Sequence, residues 1–251
     1  WDFEQTNCKF EKNVAIQSAG AFHSELGNIT QTNCTFDGNS AGQSGGAMLL
    51  DECNITQTKC EFKNNTAIQA AGAIVCYESF ITQMDCTFDN NSCDSSDKET
   101  VGGGEFFAGV MSLDECDVTQ TNCVFKNNRA RVAGVLLIGN CDITQKDCEF
   151  TNNTADEAGG AILVDSSHIA HENCIFENNT GGFVGGGALY NDCTITLTNC
   201  EYTNNSAIDI GGGMYLYECA FEFSGVTFAG NKAEQGGGLS ADAPLAEDSS
   251  G

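Results

Sequence analysis

Gly45-Gly46-Ala47-Met48-Leu49-Leu50-Asp51-Glu52-Cys53-Asn54-Ile55-Thr56-Gln57-Thr58-Lys59-Cys60-Glu61-Phe62-Lys63-Asn64-Asn65 is the stretch that decides the fold. It enters through small residues into an apolar run. A polar turn, Asp51-Glu52-Cys53, follows. Then Ile55 to Phe62 alternates, and Lys63-Asn64-Asn65 closes with turn chemistry. Short β-branched and aromatic segments bounded by turns read as strands, and no stretch holds a helical period.

The unit repeats. An aromatic residue is followed three positions later by Asn at Phe10–Asn13, Phe36–Asn39, Phe62–Asn65, Phe88–Asn91, Phe125–Asn128, Phe150–Asn153, Phe176–Asn179, Tyr202–Asn205 and Phe228–Asn231. The steps are 26, 26, 26, 37, 25, 26, 26 and 26 residues. The Gly-Gly-Ala entry returns at Gly159-Gly160-Ala161 and Gly186-Gly187-Ala188. A fixed period means one structural unit stacked on itself. Units of 26 residues without a helix fit a single-stranded parallel β-helix, an all-β solenoid of nine coils. Coils about 4.8 Å apart would make a rod roughly 40 Å long.

In-register stacking predicts three interior ladders. The aromatic residues form one. Ile29, Ile55, Ile81, Val118, Ile143, Ile169 and Ile195 form a second. The Asn series forms an amide ladder at a turn that calls for left-handed backbone. Paired glycines let the chain bend tightly or let coils approach.

With these motifs, the chain resembles the polymorphic outer-membrane proteins of chlamydiae and their relatives in eukaryotic microbes. Their repeats are F-x-x-N and G-G-A-[ILV], and the resemblance covers roughly residues 1–240. It implies a right-handed parallel β-helix. It also implies an adhesive role, since the bacterial members are passengers of autotransporters. The membrane barrel that ends those proteins has no counterpart in this sequence.

Domain organisation is simple. One solenoid spans 1–240, with an 11-residue expansion near 92–102 that should bulge from a turn as Cys93-Asp94-Ser95-Ser96-Asp97-Lys98-Glu99-Thr100. Residues 241–251 lose the repeat and read as a flexible tail. Trp1-Asp2-Phe3 already has the phase of an interior strand and lacks a leading Met. The expectation is an excised or mature segment whose coils continue, through flanking sequence or through head-to-tail stacking of copies.

The chain has 35 acidic and ten basic residues, a net charge of −25. That excludes nucleic acid and anionic membrane surfaces as partners. No window of 18 apolar residues is present, so no membrane-inserting helix is expected.

The 15 cysteines fall mostly into two phases. Cys8, Cys34, Cys60, Cys86, Cys123, Cys148, Cys174 and Cys200 precede each aromatic by two residues and should point inward, as thiols or as bridges. Cys53, Cys116, Cys141, Cys193 and Cys219 sit at a turn, with Ser79 and Ser167 at the same phase. Cys116 and Cys141 occupy adjacent coils, as do Cys193 and Cys219. Stacked positions lie within disulfide reach, so Cys116–Cys141 and Cys193–Cys219 are candidate bridges, and Cys53–Cys76 a third. No spacing fits zinc.

Sequons occur at Asn28, Asn33, Asn54, Asn64, Asn90, Asn152, Asn178 and Asn204. All but Asn33 are candidate glycosylation sites; those just before a ladder Asn should face outward. With disulfides they favour an extracellular or cell-surface protein. Asp51, Glu52, Glu78, Asp114 and Glu115 share a turn phase. Their mutual repulsion could be relieved by weakly bound calcium; no other cofactor or metal is expected.

Parallel β-helices also host polysaccharide lyases and hydrolases, which need a basic residue beside an acidic cluster or a spaced pair of carboxylates. Lys59, Lys63, Lys98, Lys126, Arg129, Arg131 and Lys146 are scattered, and none repeats beside an acidic cluster. The His residues are His23, His168 and His171; His171 stands where other repeats place Gln57, Gln83 or Gln145. No nucleophile, phosphate-loop or metal motif survives. The function expected is a noncatalytic secreted structural or adhesive solenoid, with self-association, other surface or fibre proteins, or glycans as partners. The alternatives are a polysaccharide-active lyase or hydrolase and a rigid spacer in a longer chain.

Overall fold

The computed structural model describes residues 1–93 and 107–242. The chain winds as a parallel β-helix. Strands pair in parallel at the repeat step, Phe36 with Phe62 and Phe62 with Phe88, for example. Three sheets of 16, nine and six strands form its faces. One coil shows the plan. Strand Asp142–Lys146 turns into Glu149–Thr151, then Thr154–Ala155, and a loop leads to Ile162–Asp165. Next comes His168–Glu172, stacked on Asp142–Lys146. In two coils the turn straightens, giving 11-residue strands Phe22–Thr32 and Met48–Thr58. These join two faces into the 16-stranded sheet. No α-helix occurs among the described residues.

The ladders follow the repeat. Phe36 and Phe62 stack with ring centroids 4.6 Å apart and planes 1° from parallel. That spacing matches neighbouring strands in a sheet. The column stays buried from Phe36 to Tyr202 and loosens at Phe10 and Phe228. Asn65 Nδ2 donates to Asn91 Oδ1 at 2.9 Å and to the Phe36 carbonyl at 2.9 Å. Its Oδ1 accepts from both the N–H and the Nδ2 of Asn39, each at 3.0 Å. The ladder Asn thus ties three coils together.

One detail differs from the sequence expectation. The left-handed residue is the one before the ladder Asn: Asn64, Asn90, Asn127, Asn152, Asn178 and Asn204, with φ between 54° and 57°. The Asn-Asn pair therefore divides its work. The first Asn tolerates the backbone and the second supplies the ladder. The Gly-Gly pair divides similarly. Gly45 has φ +66°, whereas a Cβ on Gly46 would lie 2.1 Å from the Gly72 carbonyl oxygen of the next coil.

The repeat extends slightly beyond its expected end. Strand Leu239–Asp242 pairs in register with Met214–Tyr217, so residues 241 and 242 belong to the solenoid. The expected bulge from Asp94 onward and the tail beyond Asp242 lie outside the described residues.

Candidate functional site

Most polar side chains inside the solenoid are paired along its axis. Gln31 Nε2 donates to Gln5 Oε1 at 2.6 Å, and the chain continues through Gln57, Gln83 and Gln120 to Gln145. His171 takes the next place, as its sequence phase predicted. It is 3% exposed, and its ring lies 5.7 Å from that of Phe176. Burial holds its imidazole down at about 4, only partly opposed by Cys148. The break leaves Gln145 Oε1 and His171 Nδ1 without partners. The buried hydroxyls of Tyr190 and Tyr202, nearby in the same core, also lack a hydrogen bond of ordinary geometry. Burial pushes both phenols up.

The inward cysteines are free thiols. Cys60 Sγ reaches the Gln31 carbonyl at 3.5 Å and the Thr58 carbonyl at 3.6 Å, and its counterparts repeat this. Hydrogen bonding to Cys86, then burial, pushes the Cys60 thiol up. These side chains fill the core as small hydrophobes with a weak S–H donor.

The turn column makes backbone hydrogen bonds that its spacing did not reveal. Cys53, Cys76, Cys116, Cys141, Cys193 and Cys219 are free thiols here, not disulfides. The Cys116 N–H donates to Cys141 Sγ at 3.2 Å, and the Cys193 N–H to Cys219 Sγ at 3.4 Å. Ser does the same work. The Cys53 N–H donates to Ser79 Oγ at 3.0 Å, and the Cys141 N–H to Ser167 Oγ at 2.9 Å. Each side chain also donates to the carbonyl two residues back, as from Ser79 Oγ to Tyr77 at 2.6 Å. A hydrogen-bonding turn residue accounts for a column that alternates Cys with Ser. Cys116 still stacks on Cys141, and Cys193 on Cys219. Cys76, by contrast, pairs in register with Leu50 and Leu113, and Cys53 faces Ser79. The register therefore gives no stacking for Cys53–Cys76. A hydrogen bond from the Cys193 thiol, more than the one from its N–H, is the main reason that the half-buried Cys219 thiol is lowered to about 7.

All seven candidate glycosylation sites, Asn28, Asn54, Asn64, Asn90, Asn152, Asn178 and Asn204, are exposed. Several already donate along the rod, Asn90 Nδ2 to Asn64 Oδ1 at 2.8 Å for one. In the acidic turns, Glu52, Glu78 and Glu115 hold left-handed backbone, while Tyr77 stands between Asp51 and Asp114. Among the described residues no group of three His, Cys, Asp or Glu is placed to hold a metal ion.

The outer face of the 16-stranded sheet is the most regular exposed surface. Thr30, Thr56, Thr82, Thr119, Thr144 and Thr196 form one outward column. Ala170 interrupts it between Thr144 and Thr196. A hollow of about 320 Å³ opens there, lined by Thr144, Lys146, Ala170, Glu172, Thr196 and Thr198 among others. Lys146 Nζ meets Glu172 Oε1 at 2.9 Å in its lining; on the same strands, outside that lining, His168 Nδ1 lies 3.2 Å from Asp142 Oδ1. The Glu172 carboxylate raises the Lys146 pKa through that hydrogen bond. Sequence reasoning missed this hollow, although its signal, Ala in a Thr column, lay in the aligned repeats.

Of the basic residues named for lyase chemistry, Lys98 lies outside the described residues and Lys59 meets no carboxylate, while four others are paired away from this hollow. Lys63 pairs with Glu61 at 2.7 Å, Lys126 with Asp89 at 3.4 Å, Arg129 with Asp156 at 2.8 Å and Arg131 with Glu157 at 2.7 Å. No helix among the described residues is long and apolar enough to cross a membrane.

No curated protein sequence matches this chain. Among solved structures, a double mutant of the periplasmic alginate epimerase AlgG is 11% identical, with a TM-score of 0.29, over 89% of this chain and 66% of that one. A second AlgG mutant is also 11% identical, with a TM-score of 0.19, over 87% and 74%. The chain thus spans just under two thirds of the first of these proteins, and a likeness so distant says nothing of what it does. A family described as a right handed beta helix region matches residues 105–243, more than half of the 251. With its parallel coils in register, this chain belongs to the right-handed β-helix family.

Proposed function

We propose that this chain is a noncatalytic, secreted or cell-surface β-solenoid that acts as an adhesive structural rod. The observation that carries this reading is the commitment of five of its ten basic side chains. Lys63, Lys126, Arg129, Arg131 and Lys146 each sit within 3.4 Å of a carboxylate. A lyase or hydrolase for acidic sugars needs a cation or base free to meet its substrate. Here four of these pairs tie neighbouring coils together, while Lys63 and Glu61 pair within one strand. The interior is likewise devoted to ladders that stabilise a stiff rod. Exposure of all seven sequon asparagines supports an extracellular setting. The F-x-x-N and G-G-A repeats, like those of polymorphic outer-membrane proteins, support adhesion over catalysis.

The test pairs two assays on the purified chain. Surfaces coated with it should retain cells or glycan-bearing beads. Neutral and acidic polysaccharides incubated with it should show no new reducing ends and no unsaturated products. Turnover of any polysaccharide would overturn the noncatalytic reading, and surfaces that retain nothing would overturn adhesion.

A further inference from the structure

We propose that the hollow around Ala170 is a binding site for one neutral sugar ring; this rests on the adhesive reading and names its ligand class. Three consecutive coils build it as a grid. Asp142, Thr144 and Lys146 lie below, His168, Ala170 and Glu172 in the middle, and Thr194, Thr196 and Thr198 above. Alternate residues of a strand share a face, so all nine project from the outer surface. Rows are about 4.8 Å apart and columns about 6.6 Å apart. Ala170 is the smallest side chain of the grid, ringed by eight polar ones.

The chemistry of that ring suits a polyhydroxylated solute. A sugar ring presents hydroxyls that both donate and accept, together with an apolar C–H face. The Ala170 methyl offers a small apolar floor. The Thr144, Thr196 and Thr198 hydroxyls make no hydrogen bond within the protein, so each can donate or accept. The Lys146–Glu172 ion pair sets a charged donor beside a charged acceptor in the lining of the hollow. Such pre-placed polar groups are what orient a small ligand.

Charge and size narrow the ligand. Glu172 already neutralises the one lysine of the lining, and the whole chain carries −25, which disfavours uronate and sulfated sugars. The volume of about 320 Å³ is at the low end for small-molecule sites, enough for one ring and not for a buried chain. Elsewhere the column keeps its threonine from Thr30 to Thr144, so a single site per chain is expected.

Ala170→Thr tests this directly. It restores the column residue of the neighbouring coils, suits a strand and closes the hollow. The full chain and the variant are titrated with methyl glycosides of glucose, galactose, mannose and N-acetylglucosamine, read by saturation-transfer NMR. At least one glycoside should bind the natural chain at one site, with Kd on the order of 1 mM, and the variant at least about tenfold more weakly. Circular dichroism should be the same for both. No saturable binding of any glycoside, or equal binding by the variant, overturns the site. Oligosaccharides of the glycoside that binds are then incubated with the chain. Cleavage or epimerisation that Ala170→Thr abolishes would overturn the noncatalytic reading and leave the site standing. Cell retention by a chain that binds no glycoside would do the reverse.

Discussion

Replacing His171 by Gln should stabilise the protein, and more in acid than at neutral pH. The His171 pKa is lowered from 6.5 to about 4 by complete burial. A folded state that prefers the neutral ring keeps its full stability above the unfolded pKa. It loses stability as pH falls from 6.5 toward 4, and the loss saturates below. The displacement of about 2.5 units corresponds to ~3.4 kcal/mol at the acid limit, and about 2 kcal/mol of it is already lost at pH 5. Gln at this position removes that loss entirely. It also continues the ladder, because its Nε2 can donate to Gln145 Oε1, which lacks a partner. Satisfying a buried acceptor contributes about 1 kcal/mol at any pH, net of the lost contact with the Phe176 ring. The expected gain is therefore ~1 kcal/mol at pH 7 and about 3 kcal/mol at pH 5. Urea unfolding of both proteins at the two pH values, followed by circular dichroism, measures it. Carboxylates titrate alike in both and cancel in the difference. A gain that is the same at pH 7 and pH 5 would refute the assignment of this acid sensitivity to His171.

Three further outcomes are expected. Asn65→Ala should cost more than about 3 kcal/mol, because it leaves the Phe36 carbonyl and two Asn39 donors unpaired; Asn64→Ala, in the exposed position before it, should cost at most about 1 kcal/mol in the same urea assay. Cys219 should alkylate with a half-maximal rate near pH 7, while Cys60 and Cys123 stay protected until unfolding; timed labelling with peptide mass spectrometry reads both. Expressed through a eukaryotic secretory route, the chain should gain glycans at fewer than all seven sites, because Asn64 and Asn90 are stacked on adjacent coils; intact mass before and after glycosidase gives the count, and an unchanged mass would refute the extracellular expectation.

The solenoid was legible because each coil states the same pattern. One phase of Phe, one of Ile and one of Asn leave a single in-register arrangement that buries all three. His171 was legible for the same reason, as a substitution within a known column. For the turn cysteines, spacing reports adjacency and not chemistry. Cys116 and Cys141 do lie on neighbouring coils, yet the column makes a backbone hydrogen bond that Ser79 and Ser167 make equally well. The left-handed position was misplaced by one residue because both members of each Asn pair tolerate it, and only the buried one can reach the next coil. The hollow escaped notice because alanine in a strand carries no chemical signal of its own. Its meaning comes from the threonines above and below it.

Ala170 and His171 are consecutive residues, and each breaks a ladder, one outside the sheet and one inside. In a stacked repeat a residue is satisfied by its copies, so a break is where side chains become available or orphaned. The inner break leaves polar atoms without partners and weakens the coil in acid. The outer one opens a hollow among uncommitted hydroxyls. Local departures from an otherwise consistent pattern are where function is expected to carry a stability cost. The two are separable because neighbouring side chains project to opposite faces. Ala170→Thr should abolish glycoside binding and leave the acid slope intact. His171→Gln should abolish the acid slope and leave binding intact. The double variant should show both effects, with stabilities adding within about 0.5 kcal/mol. If His171→Gln instead weakened glycoside binding, the inner break would be shaping the outer hollow. The coil would then be a single device and not two independent departures.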